Sequence, residues 1–157
     1  MPTGYKVGFQ QKQGNRLLVE MLPQAETVQN WTEMLTTQIF FGLKTVTPEQ
    51  FKASMSKGWL SACKDGSVAP IAEGEENGYV FSMWLQICPL NPASGKPEYT
   101  WLKAIKGSDS FCMVQKAFRF SSYDKQVVEW TQYFRTVTVC DSRLADRECP
   151  ALSSEPQ

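Results

Sequence analysis

Histidine is missing from all 157 residues. Its absence removes the usual general base near neutral pH and the commonest metal ligand. Ser-His-Asp and Cys-His catalysis, His-containing zinc sites and facial-triad iron are therefore excluded. None of the five cysteines forms a Cys-x-x-Cys pair, so neither a zinc ribbon nor a thioredoxin-type redox site is indicated. Charge of one sign is also lacking. Sixteen Lys+Arg balance sixteen Asp+Glu, which gives no global pull toward nucleic acid or anionic lipid. No apolar run approaches the roughly 18 residues of a membrane-spanning helix. A secretory leader is not apparent either: Met1-Pro2-Thr3-Gly4 runs straight into strand-like sequence.

What is present suits one globular domain over residues 1–150, followed by a flexible polar tail at 151–157. Hydrophobic residues make up 42% of the chain, enough for one core at this length. Tyr5, Val7 and Phe9 alternate, which reads as a strand. Gln13-Gly14-Asn15 turns it into a partner over Arg16 to Leu22, and Pro23 stops the ladder. From Thr27 to Leu43, the residues Val28, Trp31, Leu35 and Ile39 fall on one helical stripe, predicting a helix. A second helix follows, with Thr47, Pro48 and Gln50 as a capping signature and Cys63 at its end. Ser67 to Asn77 is acidic and reads as a solvated loop.

Tyr79 to Cys88 then alternates as a strand. Pro89 to Pro97 reads as a long hairpin loop, and Glu98 to Ile105 and Ser110 to Phe120 as two more strands. A last helix runs from Tyr123 or Asp124 to Val139 on the spacing of Val127, Trp130, Phe134 and Val137. The expected fold is α+β: an antiparallel sheet with helices packed on one face, in the order ββ-αα-βββ-α.

Cys63, Cys88, Cys112, Cys140 and Cys149 admit fifteen two-bridge frameworks. Cys63 closes a helix and Cys88 closes a strand, so a bridge there would staple two layers. Cys140 and Cys149 enclose a short loop that a bridge would pin. Cys112 lies within a strand and reads as buried and unpaired. Between the last two cysteines, Asp141, Arg143, Asp146 and Arg147 read as an internal ion-pair cluster. Two bridges favour an exported protein.

Candidate binding residues are few. Asn30, Glu33 and Thr37 stand at i, i+3 and i+7 of the expected first helix and would share a polar face. Trp84 and Trp101 alternate with smaller or polar neighbours on facing strands and could stack a ligand. Lys96 lies in a Pro- and Gly-stiffened loop that could meet a partner. No spacing pairs two carboxylates, and Gly95-Lys96 lacks the rest of a phosphate loop. Catalytic residues, metal ligands and cofactors are therefore not assigned.

Three stretches resemble a family of small proteobacterial exported, lipoprotein-like proteins of uncharacterised activity. They are Glu26 to Gln38 (ETVQNWTEMLTTQ), Cys88-Pro89 with Gly95-Lys96-Pro97-Glu98, and Val139-Cys140-Asp141-Ser142-Arg143 with Cys149-Pro150. The resemblance implies an envelope location and supports paired cysteines. The expectation is a non-enzymatic periplasmic or secreted interaction protein, mature and without its signal peptide, with lipid anchoring of its precursor left open. It would bind a protein partner in the cell envelope, for example as an inhibitor or immunity-type binder, and no nucleic acid. The alternative is a small-ligand binder, for an apolar molecule or a glycan, with a pocket between sheet and helices. A carboxylate-based hydrolase ranks last.

Overall fold

The computed structural model describes residues 3–121 and 124–150. The chain forms β1 (Tyr5–Gln13), β2 (Arg16–Pro23), β3 (Glu33–Phe41), α1 (Pro48–Ala62), β4 (Ser67–Glu76), β5 (Tyr79–Asn91), β6 (Lys96–Lys106), β7 (Ser110–Phe118) and α2 (Asp124–Thr136). It is an α+β chain in which the sheet dominates. All seven strands join one sheet in the order β1-β2-β3-β7-β6-β5-β4, and every pair in it is antiparallel. Tyr123, offered as a helix start, and the tail at 151–157 lie outside the described residues.

The expected element order holds except at two segments. The stretch read as the first helix is a loop ending in β3. Leu35 and Ile39 sit four apart, which places them on one side of a helix and equally on one side of a strand. The β-branched and aromatic residues Thr36, Thr37, Ile39, Phe40 and Phe41 favour the strand, and pairing on both edges with β2 and β7 secures it. The acidic stretch from Ser67 is not a loop but the edge strand β4. Its charges, its Pro70 and the register shift between Pro70 and Ala72 are devices that keep an open sheet edge from pairing with another chain. The turn into β5 places Asn77 at φ 50° and Gly78 at φ 72°, the left-handed pair that a two-residue hairpin requires. The loop expected after Cys88 is shorter than its prolines suggested, because pairing resumes at Asn91 and Lys96.

The helices lie on opposite faces of the sheet rather than on one. Along β5 the side chains alternate. Trp84, with Leu102, Ala104, Phe111 and Met113, packs under Phe51 and Met55 of α1. Tyr79, Phe81 and Met83, with Trp101, Ile105 and Phe118, pack under Phe134, Val127 and Trp130 of α2. A central sheet covered on both sides explains why β6 is buried continuously from Thr100 to Ile105. α1 starts as expected: the Thr47 hydroxyl accepts from the Gln50 backbone N–H at 3.1 Å, and the Gln50 side chain accepts from the Thr47 N–H at 3.0 Å. The Cys63–Cys88 disulfide ties the end of this helix to β5.

Candidate functional site

The α2 face of the sheet is filled unevenly. Toward β5 and β6 it is closed by the aromatic core. Toward β2, β3 and β7 a cavity of about 390 Å³ remains between the strands and the C-terminal end of α2. Met21, Leu35, Ile39, Ile105 and Val114 form its sheet side. Residues 137–139, which follow the helix, form the opposite wall. Thr37, Tyr133 and Thr138 bring hydroxyl-bearing side chains to an otherwise largely apolar lining, and Tyr133 is also 37% exposed, so it stands where the cavity meets solvent. Cys112, the free cysteine, lines the same space. Burial pushes its thiol pKa up, which makes it a poor nucleophile near neutral pH.

The wall made by residues 137–139 is held at several points. Lys103 Nζ donates to the Phe134 and Val137 carbonyls at 2.9 and 2.7 Å and to Glu76 Oε2 at 2.6 Å. Asn77 Nδ2 donates to the Val139 carbonyl at 2.9 Å. The Cys140–Cys149 disulfide then closes the following loop. Within that loop Arg143 pairs with Asp141 at 2.6 Å and reaches across to Asp109 in the β6–β7 turn at 2.8 Å. The Arg143 guanidinium holds the Asp141 carboxyl down at about 2. Arg147 lies over the Tyr79 ring, 4.8 Å from its centroid. The expected ion-pair cluster thus exists, and it fastens the tail to the body of the protein.

Beyond the Leu35 end of the cavity, on the same sheet face, lies a second buried ammonium. Lys116 is cross-strand to Leu35 on one side and Trp101 on the other. Its side chain is wholly buried, while that of Glu33 is 29% exposed. The ammonium lies 2.7 Å from Glu33 Oε2 and also donates to the Tyr5 hydroxyl. It sits 4.3 to 4.6 Å from the ring centroids of Trp130, Tyr5 and Phe118. Desolvation lowers its pKa from 10.5 to about 8, with Glu33 opposing the shift. Tyr5 donates to Glu33 Oε2 at 2.5 Å, and burial beside that carboxylate drives the phenol pKa far up.

The residues singled out from the sequence do not form one site. Glu33 and Thr37 point to the α2 face, one beside Lys116 and one in the cavity wall. Asn30 is not on their element: it sits in the preceding loop, bridged to Thr27. Trp84 and Trp101 are each fully buried, on opposite faces of the sheet, so neither offers a ring to a ligand; Trp101 Nε1 donates instead to Thr131 Oγ1 at 3.3 Å. Lys96 begins β6 and is exposed. Both expected disulfides are present. The sequence reading missed Lys103 and Lys116. Their signal was a single lysine on the otherwise apolar inward face of each strand, Lys103 between Trp101 and Ile105 on β6 and Lys116 between Val114 and Phe118 on β7. No group of three or more Cys, Asp or Glu among the described residues could hold a metal ion.

No family model matches the chain, and no curated protein matches it.

Proposed function

We propose that this protein is a non-enzymatic, extracytoplasmic binder of a small, largely apolar molecule, held between the sheet and α2. The cavity of about 390 Å³ carries the reading. It falls within the roughly 300–1,000 Å³ typical of ligand pockets, and it has their character: an apolar lining with a few hydroxyls to fix orientation. The two disulfides fit an oxidising compartment, the periplasm or the outside of the cell. The resemblance to exported lipoprotein-like proteins points the same way.

A saturable rise in fluorescence of a neutral phenylnaphthylamine dye, displaced by an apolar competitor such as a medium-chain alcohol, is the expected result. Val114→Phe, which puts a ring into the cavity, abolishes it. The reading fails if the dye shows no saturable signal, or if Val114→Phe binds it as the wild type does.

A protein partner in the envelope is the second reading. Val7 and Phe9 favour it, being 48% and 39% exposed on β1, a sheet edge with unpaired backbone groups. Such an edge accepts an added strand.

A further inference from the structure

The face of the sheet opposite the cavity is only partly covered. α1 packs over Trp84, Leu102 and Phe111 and reaches Phe40 at one end of β3, leaving β2, the rest of β3 and the far end of β7 uncovered by it. There a polar cleft of about 360 Å³ lies between these strands and the loop that carries Val28 and Trp31. Its floor is a cross-strand row of Glu20, Thr36 and Gln115. Neighbouring strands stand about 4.8 Å apart, so the row presents a carboxylate, a hydroxyl and an amide at that interval. Gln38 adds a second amide, Arg16 closes one end and Glu98 the other.

Two contacts give the cleft fixed walls, one at Trp31 and one at Glu98. Beside the Trp31 wall, Arg119 Nε is buried and without an acceptor among the described residues. The Arg119 guanidinium also stacks on Trp31, 3.7 Å from the ring centroid, and its backbone N–H donates to the Thr32 carbonyl at 2.8 Å. That stacking fixes the indole as a rigid wall of the cleft. At the Glu98 end, Asn91 Nδ2 donates to Oε2 at 2.7 Å, and burial raises the carboxyl pKa.

We infer that this cleft is a second binding site, and that its ligand is an uncharged polyhydroxylated molecule, a mono- or disaccharide unit. The charged residues of the lining, Arg16, Glu20 and Glu98, are of both signs, so the cleft does not select a strongly charged ligand. Amides, carboxylates and a hydroxyl at close spacing offer donors and acceptors together, which is what a hydroxyl-rich ligand can satisfy from both sides. A fixed indole offers an apolar surface to the C–H groups of a sugar ring. The site lies on the face opposite the apolar cavity and does not rest on it.

Saturation-transfer NMR with glucose, galactose, N-acetylglucosamine and their disaccharides tests the assignment on the native protein. Transfer to at least one sugar is expected, with movement of the Gln38 and Gln115 side-chain amide resonances. Gln115→Leu weakens binding about tenfold, the effect of one lost hydrogen bond to a ligand, and Trp31→Ala weakens it further. Val114→Phe, in the apolar cavity, leaves it unchanged. The inference is overturned if no sugar shows transfer, if the perturbed amides lie elsewhere, or if Val114→Phe removes the signal. The amide map is read on the wild type, so the test stands even if a cleft variant does not fold.

Discussion

Lys116 Nζ lies 2.7 Å from Glu33 Oε2, with the lysine side chain wholly buried and the glutamate side chain 29% exposed. The pair is therefore lopsided: one charge depends on the other, which still meets water. Removing the glutamate strands a desolvated ammonium among three rings. Removing the lysine leaves a carboxylate that keeps its solvent contact and its hydrogen bond from Tyr5 at 2.5 Å. Deleting one partner of a buried pair costs roughly 3–5 kcal/mol when the remaining charge is buried.

Glu33→Ala is accordingly expected to lower stability by about 3 kcal/mol, and Lys116→Met by about 1 kcal/mol. Urea unfolding midpoints at neutral pH measure both. Equal losses would mean that the ammonium is better solvated than its surroundings imply.

The same lysine sets a pH signature. Its pKa is about 8 in the folded protein against an ordinary 10.5, so between those values the unfolded chain holds the proton that the folded one has released. Where the unfolded state binds more protons, stability rises with pH. Burial therefore costs the protein most below pH 8, and the penalty is relieved as pH climbs toward 10. The size is roughly 3 kcal/mol at most. Tyr5 opposes the trend above its ordinary pKa of 10.0, because the unfolded phenol ionises first. Wild-type stability should rise from pH 8 to a maximum near pH 10, and in Lys116→Met that rise should vanish. Denaturant melts across the range decide it, and an identical profile in the two proteins would refute the assignment.

The disulfides were legible in the sequence because the elements bearing Cys63 and Cys88 were identified correctly and the Cys140–Cys149 loop is local. β3 was not, since Leu35 and Ile39 fit a helix and a strand alike, and only its neighbours β2 and β7 choose between them. β4 was hidden by its charges, which serve its edge position. The cavity was beyond reach. It is made by Met21, Leu35, Ile105 and Val137, which are far apart in the chain and of ordinary type, and by the fact that the helices take opposite faces. Thr37 was picked as a polar residue and does line the cavity, but the helical face proposed to unite it with Asn30 does not exist.

Cys112 reports on the tail clasp. Its thiol lines the cavity, and the wall at 137–139 that encloses it is followed directly by the Cys140–Cys149 loop. The double variant Cys140→Ser, Cys149→Ser removes a bridge worth on the order of 2–3 kcal/mol in the chain-entropy model and lets the wall open. Labelling of Cys112 by a neutral maleimide at neutral pH should be slow in the wild type and at least about tenfold faster in the variant. Apolar dye should slow it in both. An unchanged labelling rate would show that the wall holds without the bridge.

Lys103 is the other fastener, and its role is separable from charge alone. Its side chain is wholly buried on the α2 face of β6, its ammonium lies 4.5 Å from the Phe81 ring centroid, and it donates to two carbonyls at the end of α2 and to Glu76. A helix end carries carbonyls without intrahelical partners and a partial negative charge, and a buried cation there satisfies both. Lys103→Met would keep the apolar stem and remove the donor, leaving the Phe134 carbonyl without its charged partner while Glu76, 32% exposed, rehydrates. A loss of about 3 kcal/mol is expected, as for more than one hydrogen bond to a charged group. Amide exchange in the last turn of α2 should accelerate, and affinity for the apolar dye should fall with it, because that turn carries Tyr133 and leads into the cavity wall. Lys52→Met provides the contrast. Its pair with Glu73 is partly exposed, so the change should be under about 1 kcal/mol and leave exchange in α2 untouched. If Lys103→Met matched Lys52→Met in both stability and exchange, the hydrophobic contacts of Phe134 and Trp130 alone would suffice to hold the helix, and the buried lysine would have no part in shaping the cavity.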